Sequence, residues 1–441
     1  MNALRQLEWA LLDLQQSTPL VSVSGAISEI APTHFRVSGL SRFVTLGELI
    51  GVNSAGKTQI GEVVRIDSEG IVAKPFDRQF VAGLGAVACR MPPLTFAPDP
   101  SWKGRVINAL GAPLDGQGPL IPGARPVSAE ADAPSAMKRA RVHRPLRTGV
   151  RVIDLFAPIC AGQRVGIFAG SGVGKSTLLA MLARSEGFDT VVLALVGERG
   201  REVREFIEDV LGSNRGRAVT IVSTGDESPM MRRLAPKTAM AVAEYFRDRG
   251  ESVLLMVDSI TRFAHAAREV ALAAGEPAVA RGYAPTVFTD LPRLLERAGP
   301  GEEGSGTITG IFSVLVDGDD HNEPIADTIR STLDGHIVLS RQIADQARYP
   351  AIDVLASVSR LAHNVWDPEE RELVSKLRAM IARYEDTSDL RLMGGYQSGR
   401  DPALDQAIDI VPRIYAAMRQ GASAPPSADP FRELRDMLRG D

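Results

Sequence analysis

Residues 169–177, which read AGSGVGKST, constrain the fold of this chain more than any other stretch. The apolar run RVGIFAG leads into them and KSTLLAMLAR continues as a helical pattern, so they predict a glycine-rich loop between a strand and a helix. Backbone N–H groups of such a loop and the N-terminus of its helix face bound phosphates. Lys175 is expected to reach the β- and γ-phosphates, and the Ser176 hydroxyl to bind Mg²⁺. The alternative, an ordinary glycine-rich turn, is disfavoured by Lys-Ser at this spacing.

The first position of this loop is irregular, because Ala169 stands where the usual pattern, Gly-x-x-x-x-Gly-Lys-[Ser/Thr], has glycine. Glycine is needed where φ is positive or where the backbone touches phosphate, and the loop keeps three glycines for that purpose. A methyl group is tolerable where the strand leaves the sheet. The whole loop is therefore predicted to bind nucleotide: Ala169, Gly170, Ser171, Gly172, Val173, Gly174, Lys175, Ser176 and Thr177.

Two further apolar runs end in carboxylates. VVLALVGE and SVLLMVDS are nearly all-apolar, as expected for parallel strands buried on both faces. Asp258 ends the second run and is expected to hold Mg²⁺, although a capping aspartate at a strand-to-helix turn is the alternative. Glu198 ends the first run and is expected to polarise the attacking water, with Arg199 close to the γ-phosphate. By itself, such a glutamate is most often a surface residue.

The composition narrows the class of protein. A chain of 441 residues with 44% hydrophobic residues and a formal net charge of −4 predicts a soluble globular protein of two or three domains. Its two cysteines, Cys89 and Cys160, suit a reducing compartment. The N-terminus is a poor signal peptide, and no stretch approaches the ~20 apolar residues of a membrane span. The slightly negative net charge argues against a dedicated nucleic-acid-binding protein, which usually carries a strong basic patch.

The chain reads as three regions behind a short N-terminal segment. Short β-type runs broken by turn residues predict a small barrel or sandwich over residues 21–92. Alternating strands and helices predict an α/β domain over residues 93–350. Residues 351–441 predict a helical domain with a flexible tail, because ASAPPSADP separates its helices from a short amphipathic end.

The first helix of that last region has a clear predicted start. Asp367 is the expected N-cap, Pro368 the first helical residue and Glu370 the carboxylate that reaches back. Leu373 and Leu377 are then expected on one face of the helix, with Met380 or Ile381 and Tyr384.

Residues 1–20 carry a leucine stripe at positions i, i+3, i+7 and i+10, formed by Leu4, Leu7, Leu11 and Leu14. The stripe predicts a helix that binds the groove of a partner. A helix packed on its own barrel is the alternative.

Several longer motifs resemble one family. GERGREV, VDSITRFAHAAREV, ARYPAIDVLASVSR and GRVINALGAPLDGQG are similar to stretches of the catalytic subunits of rotary F-type and V-type ATPases. AGSGVGKS, TDLPRLLERAGP and VLVDGDDHNEPIADTIRSTLDGHIVLSR resemble the type III secretion ATPases, particularly those specific to flagellar export. The resemblance runs from about residue 21 to about residue 420. Ala169 is the residue that this subgroup uses at the first loop position.

The resemblance implies a β-barrel domain, a RecA-like P-loop ATPase core and a helical C-terminal domain, with ATP and Mg²⁺ as ligands. It implies that Glu198 is the catalytic carboxylate and that Arg262 belongs to a polar network after the Mg²⁺ aspartate. It also implies that Tyr349, in RYPAID, stacks on adenine. Arg360, in SVSR, would be an arginine finger that reaches the nucleotide of a neighbouring subunit. Without the resemblance, Tyr349 and Arg360 would be interpreted as a core aromatic residue and a surface charge.

The resemblance further implies a cytoplasmic homohexamer, associated only peripherally with the inner face of the membrane at the export gate. Its implied partners are a stator-like regulatory protein at the N-terminal helix, a coiled-coil stalk protein at the C-terminal face, chaperones and export substrates. The implied function is Mg-dependent ATP hydrolysis that energises protein export through the flagellar type III secretion apparatus. An injectisome ATPase and the catalytic subunit of a rotary ATP synthase are the alternatives; the acidic lever segment of the latter is missing here.

Two functions of other classes are disfavoured by particular residues. A hexameric nucleic-acid translocase would need a basic barrel with aromatic side chains for base stacking, and the barrel segment has few aromatics and no basic cluster. A non-catalytic regulatory subunit should lack Lys175 or carry an amide in place of Glu198, and both residues are intact.

Overall fold

The computed structural model describes residues 22–54, 56–316 and 323–439. The predicted partner-binding helix of residues 1–20 lies outside them. By its contacts the chain divides into two compact units. The first contains residues up to 94 together with Ser228–Met230 and Glu269–Pro277, and the second contains Thr95–Glu227, Met231–Arg268 and Ala278–Asp441. Among the described residues, no helix combines the length and apolar character needed to span a bilayer.

The first unit contains a closed barrel of six antiparallel strands in the order β1-β2-β5-β4-β3-β6. The strands are β1 (Ser24–Ile30), β2 (Phe35–Ser38), β3 (Leu49–Ser54), β4 (Lys57–Ile66), β5 (Ile71–Pro75) and β6 (Val87–Arg90). Alternate side chains point inward, as the strand period requires, and fill the barrel with residues such as Phe35, Val37 and Ile50. A barrel, one of the two architectures predicted for this region, is confirmed.

The second unit is built on a nine-stranded sheet in the order β19-β18-β12-β17-β15-β13-β14-β8, with β16 paired to β17. Neighbouring strands are parallel, except that β19 and β16 run antiparallel to their partners. The strands are β8 (Val106–Asn108), β12 (Arg164–Ala169), β13 (Thr190–Val196), β14 (Ala218–Ser223), β15 (Ser252–Asp258), β16 (Gly299–Pro300), β17 (Thr307–Leu315), β18 (Gly335–Leu339) and β19 (Ile352–Ser359). Two small sheets pair β7 (Thr95–Phe96) with β9 (Val127–Ser128) and β10 (Pro145–Leu146) with β11 (Ile159–Cys160).

Helices alternate with these strands and then follow them. They are α1 (Arg151–Phe156), α2 (Lys175–Ala183), α3 (Gly200–Phe206), α4 (Pro229–Asp248), α5 (Ile260–Ala273), α6 (Pro285–Glu296), α7 (Pro324–Thr332), α8 (Arg341–Asp345), α9 (Pro368–Asp386), α10 (Ser388–Leu392), α11 (Pro402–Met418) and α12 (Pro430–Arg439). Short 3-10 segments lie at Pro100–Trp102, Gly212–Arg217, Ala280–Gly282 and Ala362–Asn364, and a π-helical segment at Ile207–Leu211. The α/β core and a helical C-terminal region are confirmed as architectures, although Ile352–Ser359, predicted to belong to the helical region, form strand β19 of the sheet.

The strand order brings distant chain segments to one edge of the sheet. Every residue of β13 is buried, which confirms that its apolar run is a strand covered on both faces. Leu195 of β13 is in register with Asp258 of β15, and the ends of β12 and β17 meet where Ala169 pairs with Leu315. Because parallel strands end at the same edge, the segments that follow β12, β13 and β15 converge there.

The start of α9 is as predicted, and so is its buried face apart from one residue. The Asp367 side chain accepts a hydrogen bond from the Glu370 backbone N–H, and the Glu370 side chain accepts one from that of Asp367. The buried residues of α9 are Val374, Leu377 and Ile381, whereas Leu373 is 43% exposed. Leu377 and Ile381 are therefore buried as predicted, and Met380 and Tyr384 pack against the core while partly buried. Val374 takes the place predicted for its neighbour Leu373, because positions 374, 377 and 381 share one face of the helix.

The segment ASAPPSADP was predicted to be a flexible link and is instead held by hydrogen bonds. The backbone N–H of Ser427 donates to the carbonyl of Gly149 over 2.9 Å. A Cβ at Gly149 would lie 2.5 Å from the Cβ of Pro426, so the glycine permits this close approach. The segment is therefore fixed at Gly149 by the Ser427 hydrogen bond and by the close approach of Pro426.

A buried carboxylate that accepts a hydrogen bond from Gly149 is expected to make the stability of this unit depend on pH. Asp154 is 1% exposed and accepts hydrogen bonds from the Thr148 and Gly149 backbone N–H groups over 2.9 and 3.0 Å, and from the Thr148 hydroxyl over 2.8 Å. Burial nevertheless raises the pKa of Asp154 from 3.8 to about 6, against the opposing effect of these hydrogen bonds.

Comparing the stability of the wild type with that of Asp154→Asn is expected to reveal the titration of Asp154. Because the folded pKa is raised, the carboxyl stabilises the fold below pH 4 and that stabilisation is lost as the pH rises through 6. The free energy of unfolding of the wild type, minus that of the variant, should fall by on the order of 3 kcal/mol between pH 4 and pH 7. Denaturant unfolding at several pH values measures it. A difference that does not change with pH would contradict the assignment.

Candidate active site

The phosphate-binding loop connects β12 to α2 and has the backbone that its glycines allow. Gly172 has φ +78° and Gly174, the N-cap of α2, has φ +100°, which other residues rarely adopt. Ala169 is the last residue of β12 and is fully buried in the sheet. Its methyl group therefore lies inside the core, away from the turn, which explains why alanine fits at the first position.

Lys175 and Asp258 form an ion pair at the edge where these strands end. Asp258 is 1% exposed, and its Oδ1 also accepts a hydrogen bond from the Ser313 hydroxyl over 2.6 Å. A buried carboxylate is stable only with such partners, and the two hold it in one orientation. Sequence reasoning missed Ser313, although a single serine within the apolar run TITGIFSVLV was the available signal.

Glu198 follows β13 and lies beside this ion pair. Its side chain is 18% exposed, and its Oε1 is 3.8 Å from Nε of Arg262. Burial is the largest cause that raises the pKa of Glu198 above its ordinary value; the negative charge of Asp258 adds to it, while Lys175 and Arg262 oppose it. A carboxylate with a raised pKa, held beside a phosphate-binding lysine, is suited to polarise a water molecule.

A glycine allows Arg262 to approach this carboxylate. Gly197 has φ +73°, and a Cβ there would lie 2.5 Å from Cδ of Arg262. The sequence VGE thus supplies both the glutamate and the space for the arginine that pairs with it.

One cavity of about 600 Å³ joins these groups, a volume typical of small-molecule sites. Three residues at the start of α2 line it together with both carboxylates: Lys175, Ser176, Thr177, Glu198 and Asp258. Its remaining wall was not predicted and includes Ala180, Arg184, Glu202, Phe206, Ala422 and Ser423. The cavity therefore contains the predicted phosphate, metal and water-polarising groups.

The oxygen ligands present fit Mg²⁺. Ser176 offers a hydroxyl and Asp258 a carboxylate within the same cavity. Within the described part of the chain, no cluster of three or more His, Cys, Asp and Glu side chains is arranged to hold a metal ion. Mg²⁺ is usually held by one or two protein oxygens together with substrate phosphates and water, so this ligand set suits a metal that arrives with the nucleotide.

Two other predicted residues lie near the loop. Tyr349 is 45% exposed, and a Cβ at Gly174 would lie 3.7 Å from its ring. Its ring thus faces the loop, where a base is able to stack. Arg199 is the N-cap of α3, and its side chain, 74% exposed, pairs with Glu202 at 3.5 Å. Glu202 lines the cavity, whereas Arg199 is not among its lining residues.

Arg360 lies at the opposite edge of the sheet. It follows β19, and its backbone N–H donates to the carbonyl of Asp334, just before β18, over 2.9 Å. Its guanidinium is exposed and donates to the carbonyl of Arg330 over 3.2 Å. Strand β12 pairs with β18, and the phosphate-binding loop follows the C-terminal end of β12, away from Asp334. The six residues of β12 span roughly 20 Å, at ~3.3 Å per residue. Arg360 therefore cannot reach the phosphates bound by its own chain.

Comparisons with known proteins show the family to which the chain belongs. Residues 149–359 match the ATP synthase alpha/beta family, nucleotide-binding domain, and residues 366–438 match the T3SS EscN ATPase C-terminal domain. The chain is 56% identical over 420 residues to the flagellum-specific ATP synthase of Agrobacterium fabrum, covering 95% of this chain and 89% of the relative. It is 44% identical over 406 residues to the type 3 secretion system ATPase of Xanthomonas euvesicatoria, covering 90% and 89%.

Solved structures extend the likeness to the fold. The assembled ATPase EscN, from the type III secretion system of enteropathogenic E. coli, superposes with a TM-score of 0.88 at 38% identity, covering 94% of this chain and 100% of that one. A structure of EscN in complex with its central stalk EscO gives 0.85 at 37% identity with the same coverage. The chain therefore belongs to the family of ATP-hydrolysing enzymes that contains the flagellum-specific ATP synthases and the type 3 secretion system ATPases.

Proposed function

We propose that this protein hydrolyses Mg-ATP as a homohexamer and that hydrolysis energises protein export through the flagellar type III secretion apparatus. The observation that carries the proposal is the convergence of Lys175, Glu198 and Asp258 on one cavity behind a phosphate-binding loop. The higher identity with the flagellar relative supports a flagellar role over an injectisome role.

Each group at the cavity has a role in hydrolysis. The loop backbone and the start of α2 bind the phosphates, and Lys175 exchanges its bond with Asp258 for the β- and γ-oxygens. Ser176 and Asp258 would hold Mg²⁺, which when bound adds positive charge at the oxygens where negative charge develops. Glu198 orients and polarises the attacking water, and Arg262 holds the carboxylate of Glu198 in place.

The site is completed by a neighbouring subunit. Arg360 is exposed at the sheet edge opposite its own loop, so its guanidinium is available to the cavity of the next protomer in a ring. There it adds positive charge at the γ-phosphate, the role of an arginine finger. Tyr349 stacks on the base, and Arg199 acts only if a rearrangement turns its exposed side chain toward the phosphates.

The proposed partners follow from the same assignment. A stator-like regulatory protein binds residues 1–20, and a coiled-coil stalk binds the C-terminal face, as EscO is the central stalk of EscN. Chaperones, export substrates and the export gate are the remaining partners, and nucleic acid is not among them. The ring is cytoplasmic and associates peripherally with the membrane at the gate.

A complementation experiment tests the proposal. A strain that lacks this protein should be non-motile and should not export flagellin. The wild type should restore both, whereas Lys175→Ala should restore neither, because the positive charge at the phosphates is lost. Lys376→Ala is the control, since this lysine pairs with Glu372 on the surface of α9. Normal flagellin export in the deleted strain, with loss of effector secretion, would assign the protein to an injectisome instead.

A further inference from the structure

The C-terminal end of the chain forms part of the wall of the nucleotide cavity. Ala422 and Ser423 line it together with Ala180 of α2. The guanidinium of Arg184 donates a hydrogen bond to the carbonyl of Ala422. Arg184 comes nine residues after Lys175, roughly 13 Å further along the helix axis at ~1.5 Å per residue. This wall therefore lies at the end of the cavity away from the phosphate-binding lysine.

The composition of this wall suits a base better than a phosphate. Residues 421–427 read GASAPPS and contain no charged side chain. Phosphate binding instead relies on positive charge and on backbone N–H groups at a helix start, which the other end of the cavity supplies. Arg184 is the cation at this end, and its guanidinium is bonded to the Ala422 carbonyl. A nucleotide whose phosphates lie at Lys175 and whose base extends along the cavity places that base near Ala422 and Ser423.

Gln420 fixes the start of this wall. Its side chain is buried; Oε1 accepts from the Arg151 backbone N–H over 2.9 Å, and Nε2 donates to the Gly149 carbonyl over 2.8 Å. Its own backbone N–H donates to the carbonyl of Tyr349 over 2.9 Å. The wall and the backbone that carries the predicted base-stacking ring are thus joined through one residue.

Glu433, on α12, fixes the other end. Its Oε2 pairs with Nε of Arg151 at 2.8 Å, and its Oε1 accepts from the Ser427 hydroxyl over 2.8 Å. The Arg151 side chain is 13% exposed and that of Glu433 is 29% exposed, so solvent screens the pair only in part. Arg151 also donates to the carbonyl of Ala417, at the end of α11. One carboxylate therefore ties the terminal helix to both α1 and the wall.

We propose that Glu433 is a positioning residue for the nucleobase: it keeps residues 420–427 in place, so that Ala422 and Ser423 form the base-side wall of the site. The inference rests on the proposed function, because it takes ATP as the ligand of the cavity. It gives the terminal helix α12 a role in nucleotide affinity, although α12 itself does not line the cavity.

Calorimetric titration of the full-length protein with two ligands tests this role. Mg-ATP carries a base and Mg-tripolyphosphate does not. Glu433→Ala should raise the Kd of Mg-ATP about five- to tenfold, as loss of ~1 kcal/mol of positioning implies, and should change the Kd of tripolyphosphate less than about twofold. In steady-state kinetics KM for ATP should rise while kcat stays within about twofold. Arg432→Ala, one residue away on the exposed side of α12, should behave as wild type.

Two outcomes would overturn the inference: equal weakening of both ligands, or unchanged Mg-ATP binding by a folded Glu433→Ala protein. If Glu433→Ala does not fold, the same two titrations are made with Glu433→Gln. This variant keeps a hydrogen-bond acceptor for Ser427 and loses only the charge that pairs with Arg151. A wild-type protein that binds tripolyphosphate but not Mg-ATP would refute the proposed function itself, and the two failures are therefore distinguishable.

Discussion

Glu198→Gln is expected to bind Mg-ATP nearly as well as the wild type and to lose about 10²–10⁴-fold in kcat. Glutamine has the size of glutamate and can still lie beside Arg262, so the shape of the cavity is kept. It carries no charge and cannot take a proton from water. Binding is measured by calorimetry and turnover by phosphate release under single-turnover conditions.

Glu202→Gln provides the matched control, because Glu202 lines the same cavity from α3 and has a similar charge and size. Its turnover should stay within about twofold of the wild type, since Glu198 is the carboxylate that follows β13 and is predicted to polarise the attacking water. Comparable losses in the two variants would mean that the cavity needs negative charge in general. A loss of ATP affinity in Glu198→Gln equal to its loss of turnover would indicate a structural role.

Arg360→Ala is expected to lower turnover by on the order of 10³-fold, the typical contribution of an arginine finger. The reason is geometric: Arg360 lies at the sheet edge opposite its own loop, so its charge is able to act only on the site of a neighbour. Activity should therefore rise steeply with protein concentration. Arg371→Ala is the control: the side chain of this exposed arginine donates to the carbonyl of His363, and its loss should leave turnover unchanged.

Mixing two inactive variants gives the decisive test of this sharing. An interface is complete when the Glu198 of an Arg360→Ala protomer meets the Arg360 of a Glu198→Gln protomer. In an equal, random mixture this holds for about a quarter of interfaces, ½ × ½, so part of the activity should return. Mixed assembly is verified by co-purification of differently tagged protomers. If mixed rings form and no mixing ratio restores turnover, Arg360 does not act between subunits.

The local chemistry of this chain is determined by its sequence. Gly172 and Gly174 of GSGVGKS adopt the positive φ angles that the loop needs, and Asp367 with Glu370 caps α9. The apolar runs that end at Glu198 and Asp258 are buried strands. Each of these features depends on residues within a few positions of one another, so backbone preference and hydrophobic period suffice to predict them.

The contacts between distant parts of the chain were determined by the tertiary structure, through the order of strands in the sheet. Ser313 meets Asp258 across 55 residues because β17 lies beside β15, and Arg360 is separated from its own loop because β19 runs antiparallel to β18. Ala422 and Ser423 reach the nucleotide cavity because Gln420 and Glu433 bond residues 149–151, some 270 to 280 positions earlier. Such contacts form between residues that are far apart in the chain and meet only when the tertiary structure closes the long loops between them. The hydrophobic period of a single helix or strand does not determine which distant elements pack together.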